Sequence, residues 1–208
     1  MLGSLKSIKS SGPDNIPARL LKEGAVEIAP SLTRRFNLSL LQASVPAAWK
    51  EAHVIPLHKK GDRSNVKNYR PVSLTSVVSK VLEKVLHFHL YKHLSTSDLL
   101  SNAQHGFCPG RSCESLLLDS VHDWAKTLHE KGTPDVIFLD ISKAFDTVSH
   151  TNLLVKLRRV GLDGWVLSWI KSYLSNRWQR CTVDGSVSDW LPVTSGVHKV
   201  LSLAHYSF

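Results

Sequence analysis

The chain has 208 residues, and 42% of them are hydrophobic, so it can bury a substantial core as one large domain or two small lobes. Its 26 Lys and Arg outnumber 17 Asp and Glu, which gives a formal net charge of +9. A basic chain favours a polyanionic partner, although a membrane surface or a solvated face also attracts basic residues. The charge is interleaved with aromatic and turn residues along the whole chain, which favours a folded nucleic-acid-binding surface.

The cysteines and the hydropathy of the chain indicate in which cellular compartment the protein is found. Cys108, Cys113 and Cys181 form no C-x-x-C pair, which argues against a disulfide framework and a cysteine zinc site. No apolar run is long enough for a signal peptide core or a membrane span. We therefore expect a soluble intracellular protein, nuclear or cytoplasmic, with no disulfide partner and no membrane. The sequence leaves its oligomeric state open.

The first predicted elements are helical. Residues 16–43 carry apolar side chains near helical spacing, and Gly24 and Pro30 are predicted to break this run into two helices. Pro46 ends the helical pattern. A strand from Trp49 to Leu57 is predicted next, followed by a basic loop.

A second helical region runs from about Ser76 to Leu94. Its apolar period predicts an inward face made of Val77, Val81, Val85, Phe88 and Tyr91. His89 and His93 share one face of this helix at a spacing that zinc can use, but no acidic or cysteine partner lies nearby in sequence. We interpret them as solvated imidazoles. A further helix is predicted from about Glu114 to Glu130.

The run Val136–Leu139 is typical of a short buried strand, because it is β-branched and aromatic and follows a turn signal at Gly132 and Pro134. Asp140 ends this run. A carboxylate held rigidly at a strand end suits a hard divalent cation such as Mg²⁺. Aspartate is also common where strands simply turn, so the pattern alone leaves both interpretations open.

The last third of the chain predicts helices and a hairpin. A helix begins near His150, stops at Gly161 and resumes through a stripe of aromatic residues, for which core packing is favoured over base stacking. The stripe consists of Trp165, Trp169 and Tyr173. A hairpin is predicted over Cys181–Val187, where Asp184-Gly185 is a strong two-residue turn signal.

Several motifs then occur in the order found in one known family. Phe138–Asp146 resembles the first catalytic-aspartate motif of reverse transcriptases, in the form used by non-LTR (LINE-type) retrotransposons. Five further segments of this chain resemble the remaining motifs of that family, in the same order. They are Lys9–Asp14, Val54–Asp62, Asn68–Leu74, Gln104–Ser112 and Thr194–Val197. The resemblance covers nearly the whole chain up to Val197.

The resemblance implies an α+β fold. It would be the fingers of a right-hand polymerase, largely helical with a strand and loop segment that contacts nucleotide, together with an incomplete palm sheet. The implied divisions are a fingers-like region with the start of the palm at 1–130, a partial palm at 131–197 and an out-of-frame tail at 198–208.

The resemblance also implies functional residues around the aspartate motif. Asp140 would be a catalytic carboxylate that ligates Mg²⁺ or Mn²⁺, with the backbone carbonyl of Ile141 as a second metal ligand. Phe145 would lie beneath the sugar of the incoming dNTP, where an aromatic ring collides with a 2′-hydroxyl and so favours deoxynucleotides.

Other implied contacts are to phosphates and to the RNA template and DNA primer. Lys59, Lys60 and Arg70 would bind the triphosphate, the arginine through a bidentate fork. The implied nucleic-acid contacts are Gly106, Gly110, Arg111, Ser195 and Gly196. Cys108 stands where family members often carry arginine, which weakens the expected grip on the template.

Two departures from the family pattern bear on activity. The family's second and third aspartates belong to a later Asp-Asp hairpin, and no Asp-Asp pair occurs in these 208 residues. One carboxylate cannot hold two cations, so we expect no polymerase activity from this chain alone. Residues 198–208 do not match the family, and a one-base frameshift would restore its motif; we hypothesise that they are an out-of-frame product.

The sequence supports two other classes of function. One is a non-catalytic RNA- or DNA-binding module derived from a reverse transcriptase, and the other is a helical interaction protein in which Asp140 is only a turn residue. A palm without its flanking strands would leave the apolar run before Asp140 uncovered, so we also expect the free chain to be prone to aggregation.

Overall fold

The computed structural model describes residues 1–7 and 10–197. Over these residues the chain forms six α-helices, five strands and three short 3₁₀ turns, which confirms the predicted α+β class. It divides into two compact units. The first takes in Met1–His89 and the chain from Phe145 onward, and the second is Leu90–Ala144. Lys9 and the proposed out-of-frame tail lie outside the described residues.

Two helices open the first unit, α1 at Ala18–Glu23 and α2 at Ala25–Leu41. The predicted break at Gly24 is confirmed, whereas the predicted break at Pro30 is wrong, because this proline lies inside α2. Proline removes one backbone hydrogen bond, but packing of the apolar face on both sides of it holds the helix together. The α2 side chains that pack against the core are Ile28, Leu32 and Phe36.

The first unit contains a mixed sheet of five strands. Its strands are β1 (Glu51–His58), β2 (Tyr69–Thr75), β3 (Arg177–Val183), β4 (Ser186–Val187) and β5 (Leu191–Val193). β1 pairs antiparallel with β2 and parallel with β3, and β3 also pairs with β4 and β5. The strand predicted from Trp49 and the hairpin predicted at Asp184-Gly185 are both confirmed. The two turn residues have φ of 48° and 83°, as a tight hairpin requires.

The strand register separates the sheet into two faces. Val54 pairs with Ser73 on one face, and Leu57 pairs with Arg70 on the other. Because side chains alternate along a strand, this register decides which residues can share a site.

Three more helices follow: α3 (Val77–Thr96), which begins in the first unit and continues into the second, and α5 (His150–Arg159) and α6 (Gly164–Leu174), which lie in the first unit. The predicted inward face of α3 is correct at Val77 and Val81 but wrong at Phe88, which is 57% exposed. The buried stripe moves by one position after Val81, because leucines then recur every four residues. It continues through Leu82, Leu86, Leu90 and Leu94.

The second unit contains α4 at Cys113–His129, which confirms the predicted helix and begins with a capping box at Ser112. The predicted buried strand Val136–Leu139 is wrong. This segment forms no strand, and Phe138 and Leu139 are 85% and 89% exposed. A strand needs a neighbour for its backbone N–H and C=O groups, and no described segment pairs with this one.

Over the described ranges, no helix combines the length and apolar character needed to cross a membrane.

Candidate functional site

A cavity of about 310 Å³ opens on one face of the first unit's sheet. Strands β1, β2, β3 and β5 contribute to its wall, and the segment that follows β5 closes one side. The lining residues are Val54, Pro71, Ser73, Asp146, Tyr173, Leu174, Arg177, Gln179 and residues 192–197. The wall therefore joins parts of the chain that lie far apart in sequence.

Hydrogen bonds connect two predicted motifs at the edge of this cavity. Val197 N donates to Phe145 O at 2.9 Å, and Gly196 N donates to Val148 O at 2.9 Å. The Ser195 hydroxyl donates to Asp146 O at 3.1 Å. The structure thus brings Phe145, a predicted contact to the incoming dNTP, close to Ser195 and Gly196, which are predicted contacts to nucleic acid.

Gly196 lies at a tightly packed point of this junction. Its φ is +85°, and an added Cβ would lie 3.0 Å from the Cα and the carbonyl oxygen of Asp146. Both the backbone conformation and the close approach of a second backbone therefore favour glycine. The Gly196 carbonyl is also within 2.7 Å of His150 Nε2.

A buried polar cluster includes two residues of the cavity lining, Tyr173 and Arg177. It consists of Glu83 on α3, Tyr173 on α6 and Arg177 on β3, all no more than 3% exposed. Arg177 Nη1 donates to Tyr173 O at 3.1 Å, and its guanidinium carbon lies 4.6 Å from the centroid of the Tyr173 ring. Glu83 Oε1 accepts a 2.8 Å hydrogen bond from Ser79. These contacts fix the position of Arg177.

Some polar atoms of the cluster make no hydrogen bond of standard geometry. These are Glu83 Oε2, the Tyr173 hydroxyl and Arg177 Nη2, which are buried; the Tyr173 hydroxyl still lies close enough to Glu83 to influence the pKa of that carboxyl. Burial raises the pKa of Glu83, while Ser79 and the charge on Arg177 oppose the rise. Burial, and then the charge on Glu83, raises the pKa of Tyr173 well above its usual value. Tyr173 is therefore a neutral hydroxyl at ordinary pH.

The predicted triphosphate contacts lie on the β1–β2 hairpin. Lys59 and Lys60 are exposed in its loop, and Arg70 is exposed on β2. Register places the Arg70 side chain on the sheet face opposite the cavity face that carries Ser73. Arg70 and the cavity therefore occupy different faces of the same sheet.

The hairpin loop has a defined internal structure. The Asp62 carboxylate accepts hydrogen bonds from the Ser64 N–H at 2.9 Å and the Ser64 hydroxyl at 2.7 Å, which lower the pKa of this carboxyl. Asn68 Nδ2 donates to Asp62 O at 2.8 Å. These bonds hold the loop that presents Lys59 and Lys60.

The predicted template loop belongs to the second unit. Arg111 Nη1 donates to Asn102 O, and to Gln104 O at 2.8 Å, so one nitrogen of this arginine organises its own loop. Gly110 has a φ of +78°, and neither it nor Gly106 has a heavy atom within 4 Å of an added Cβ. The loop thus leaves its glycines open to an approaching ligand.

Asp140 and Ile141 are exposed in the same unit, directly after the apolar run. Within the described ranges, no group of three His, Cys, Asp or Glu side chains is close enough to hold a metal ion. Two divalent cations at one site need several carboxylates to bridge them. The donors around Asp140 therefore do not fit the two-cation centre that the resemblance implies.

Sequence reasoning missed the buried polar cluster. A signal was present at the start of α3, where Ser76, just before the helix, and Ser79 and Glu83 within it recur at helical spacing in an otherwise apolar buried stripe. Three polar residues at core positions indicate that a partner must come from elsewhere in the fold. The sequence does not identify Arg177 as that partner, because it lies 94 positions further along, counting from Glu83.

The chain is similar to known proteins over most of its length. Residues 57–199 match the sequence model of the family described as "Reverse transcriptase (RNA-dependent DNA polymerase)". The chain is 35% identical over 148 residues to the "Retrovirus-related Pol polyprotein from type-1 retrotransposable element R2" of Popillia japonica, which covers 70% of this chain and 20% of that relative.

Two Drosophila melanogaster proteins give longer matches. The chain is 32% identical over 185 residues to the "RNA-directed DNA polymerase from mobile element jockey", which covers 88% of this chain and 20% of the relative. It is 30% identical over 179 residues to the "Probable RNA-directed DNA polymerase from transposon BS", which covers 84% of this chain and 19% of that relative. The chain thus spans about a fifth of the length of these curated relatives.

Proposed function

Because this chain belongs to the reverse transcriptase family, in the branch found in non-LTR retrotransposons, we propose that it holds template, primer and incoming deoxynucleotide in an RNA-directed DNA polymerase. RNA as the template, DNA as the primer and dNTP as the substrate are parts of this proposal. They are the partners that template-directed DNA synthesis on RNA requires.

One observation carries the proposal. Two segments far apart in sequence, residues 145–148 and 195–197, are joined by hydrogen bonds at the rim of one cavity: Val197 to Phe145, Gly196 to Val148 and Ser195 to Asp146. A rim built from the two segments provides a rigid edge on which a sugar and a base can be positioned. We propose that Phe145 meets the sugar of the incoming dNTP there, with Ser195 and Gly196 beside the nucleic acid.

Phosphate recognition is assigned to the hairpin and the template loop. We propose that Lys59, Lys60 and Arg70 bind the triphosphate, since all three are exposed cations on one hairpin. Gly106, Gly110 and Arg111 are proposed contacts to the template backbone. Arg111 would bind the template phosphates through guanidinium N–H groups other than those of Nη1, because Nη1 bonds to carbonyl groups of its own loop.

Divalent-metal binding is a separate part of the proposal. Asp140 and the carbonyl of Ile141 are the proposed Mg²⁺ or Mn²⁺ ligands, but within the described ranges Asp140 belongs to no group of three His, Cys, Asp or Glu side chains that could hold a metal ion. This favours a second candidate function for the isolated chain, namely nucleic-acid binding without nucleotide addition. We also propose the division of the chain into a fingers-like region with the start of the palm at 1–130, a partial palm at 131–197 and an out-of-frame tail at 198–208. An intracellular location is proposed as well.

The test is binding of an RNA–DNA hybrid with a single-stranded RNA overhang, measured by fluorescence anisotropy across a salt series. The wild-type chain should bind, with affinity falling steeply as salt rises. A variant with Lys59→Gln, Lys60→Gln and Arg70→Gln should keep this hybrid binding but should bind a labelled dNTP, added to the complex of chain and hybrid, at least about tenfold more weakly, because it lacks three cations proposed to contact the triphosphate.

A second triple variant serves as the matched control. Lys22→Gln, Arg34→Gln and Arg35→Gln remove the same charge from exposed positions of α1 and α2. Equal weakening of dNTP binding by both variants would mean that net charge alone drives binding and would contradict the assignment to the hairpin. Absence of hybrid binding by wild type would contradict the proposed function.

A further inference from the structure

Arg180 is held in one orientation on the sheet face opposite the cavity. Its Nε donates to His53 Nε2 at 3.0 Å, and its guanidinium carbon lies 4.7 Å from the centroid of the Trp190 ring. The rings of His53 and Trp190 are themselves 6.0 Å apart. An arginine clamped between two rings loses little rotamer freedom on binding a ligand.

The charge environment leaves this arginine without a counter-ion. Burial, and then the charge on Arg180, lowers the pKa of His53, while Glu51 opposes the shift. The imidazole is therefore neutral at neutral pH and accepts the hydrogen bond. Across residues 10–197, no carboxylate forms an ion pair with Arg180. The bond to His53 uses Nε, so the two terminal nitrogens point their donors elsewhere.

An exposed aromatic ring lies next to this guanidinium. Trp178 is 45% exposed, and it shares a sheet face with Arg180 because the two are two positions apart on β3. Register supports this placement, since Trp178 pairs with Glu51 and Arg180 pairs with His53 on β1. Gln179, between them, lines the cavity on the other face. Arg70 lies on the same face as Arg180, two strands away.

We propose that Arg180 and Trp178 form a binding site for a nucleic-acid strand, with a phosphate on the guanidinium fork and a base stacked on the exposed indole. A bidentate fork matches phosphate geometry, and base stacking on an aromatic ring is tolerant of sequence. The inference rests on the proposed function, because it requires a nucleic-acid partner, and it adds a contact surface that the family motifs do not include. His53 and Trp190 act as positioning residues for Arg180.

The experiment uses the full chain and labelled single-stranded oligonucleotides of one sequence, as RNA and as DNA, with anisotropy measured over a salt series. Arg180→Gln should weaken RNA binding about tenfold and reduce the salt slope by about 0.7, which is the value for one phosphate contact on a single strand. Trp178→Ala should weaken binding by a similar factor and leave the slope unchanged, because stacking releases no counter-ion. The comparison of RNA with DNA shows whether the site reads the ribose.

Arg35→Gln, on α2, is the matched control for charge and should leave affinity and slope nearly unchanged. Circular dichroism of each variant checks that the fold is retained. The inference is overturned if Arg180→Gln leaves both affinity and slope at wild-type values, or if Arg35→Gln has the same effect. If the chain binds the RNA–DNA hybrid but Arg180→Gln has no effect, this inference alone is overturned. If the wild-type chain binds no nucleic acid, the proposed function is overturned as well.

Discussion

Single residues of the buried polar cluster carry an electrostatic cost. Glu83 is 1% exposed and has one carboxylate oxygen without a hydrogen bond of standard geometry. Burial disfavours its charged form more than Arg177 and Ser79 favour it, so the pKa of Glu83 is raised in the folded state. The folded chain therefore holds the Glu83 proton more tightly than the unfolded chain does.

A pH-dependent stability follows from this shift. The proton on Glu83 stabilises the folded chain fully at pH values below the usual pKa of glutamate, which applies to the unfolded chain. This stabilisation is lost as the pH rises through the raised pKa of Glu83 in the folded chain. Glu83→Gln, which cannot titrate, should therefore gain stability relative to wild type across that window, by at most about 1.4 kcal/mol per pH unit. Urea denaturation of both chains over a pH series measures the difference. Parallel profiles for the two chains would show that Glu83 does not titrate in this range.

Residue positions on the two sheet faces were only partly predictable. The motifs predicted Arg70 and Phe145 as contacts to the incoming dNTP and Ser195 and Gly196 as contacts to nucleic acid, and the structure brings the last three close together. The face on which Arg70 lies depends on the pairing of β1 with β2, which a one-residue change in register would reverse. Register is a property of two strands, so local sequence does not determine it.

At the level of elements, α6 shows how a predicted stripe divides into buried and exposed parts. Trp169 is 1% exposed, stacks on Tyr173 with ring centroids 5.5 Å apart and donates from Nε1 to the Ser39 hydroxyl at 2.9 Å. Trp165, one turn earlier, is 54% exposed. Core packing of the stripe is therefore correct for two of its three aromatic residues.

Substitutions on α6 should show this division. Trp169→Ala should lower the free energy of unfolding by about 3–5 kcal/mol, because it leaves a large cavity between α6 and α2. Trp165→Ala, the matched control, should change it by about 0.5 kcal/mol or less. If Trp169→Ala does not fold, Trp169→Phe should cost about 1 kcal/mol through loss of the bond to Ser39. Denaturation followed by circular dichroism gives these values, and similar costs for both alanine variants would contradict the packing.

Helices and tight turns were predicted well because their signals are local. The period of α4, the helix break at Gly24 and the Asp184-Gly185 turn each depend on residues close together in sequence. The strand at Val136–Leu139 was not correctly predicted, because composition reports a preference for strand while a strand also needs a partner. Pro30 was misjudged for a related reason: tertiary packing of α2 outweighs one lost hydrogen bond.

At the scale of the whole molecule, the second unit exposes apolar surface. Ile137, Phe138 and Leu139 are 83–89% exposed, and α4 also presents exposed leucines, among them Leu117 and Leu118. Contiguous exposed apolar side chains promote association between molecules in solution. Aggregation of the free chain is consistent with this surface and stays a prediction.

Removal of part of this surface should improve behaviour in solution. The double variant Ile137→Ser and Phe138→Ser should reduce self-association, as measured by sedimentation velocity, and leave the unfolding midpoint within a few degrees of wild type, because little buried area is lost. Leu153→Ser, at a position 1% exposed on α5, should instead lower the midpoint strongly. A large fall in midpoint for the double variant would mean that the apolar run is buried in solution.

The parallel pairing of β1 with β3 has a consequence for biosynthesis. The partners His53 and Arg180 lie 127 positions apart, so most of the chain must leave the ribosome before β3 can join the sheet. Closing so long a loop costs entropy and slows folding. During that interval the β1–β2 hairpin presents the edge of β1 to the cell, and a chaperone that shields this edge would protect the nascent chain until β3 arrives.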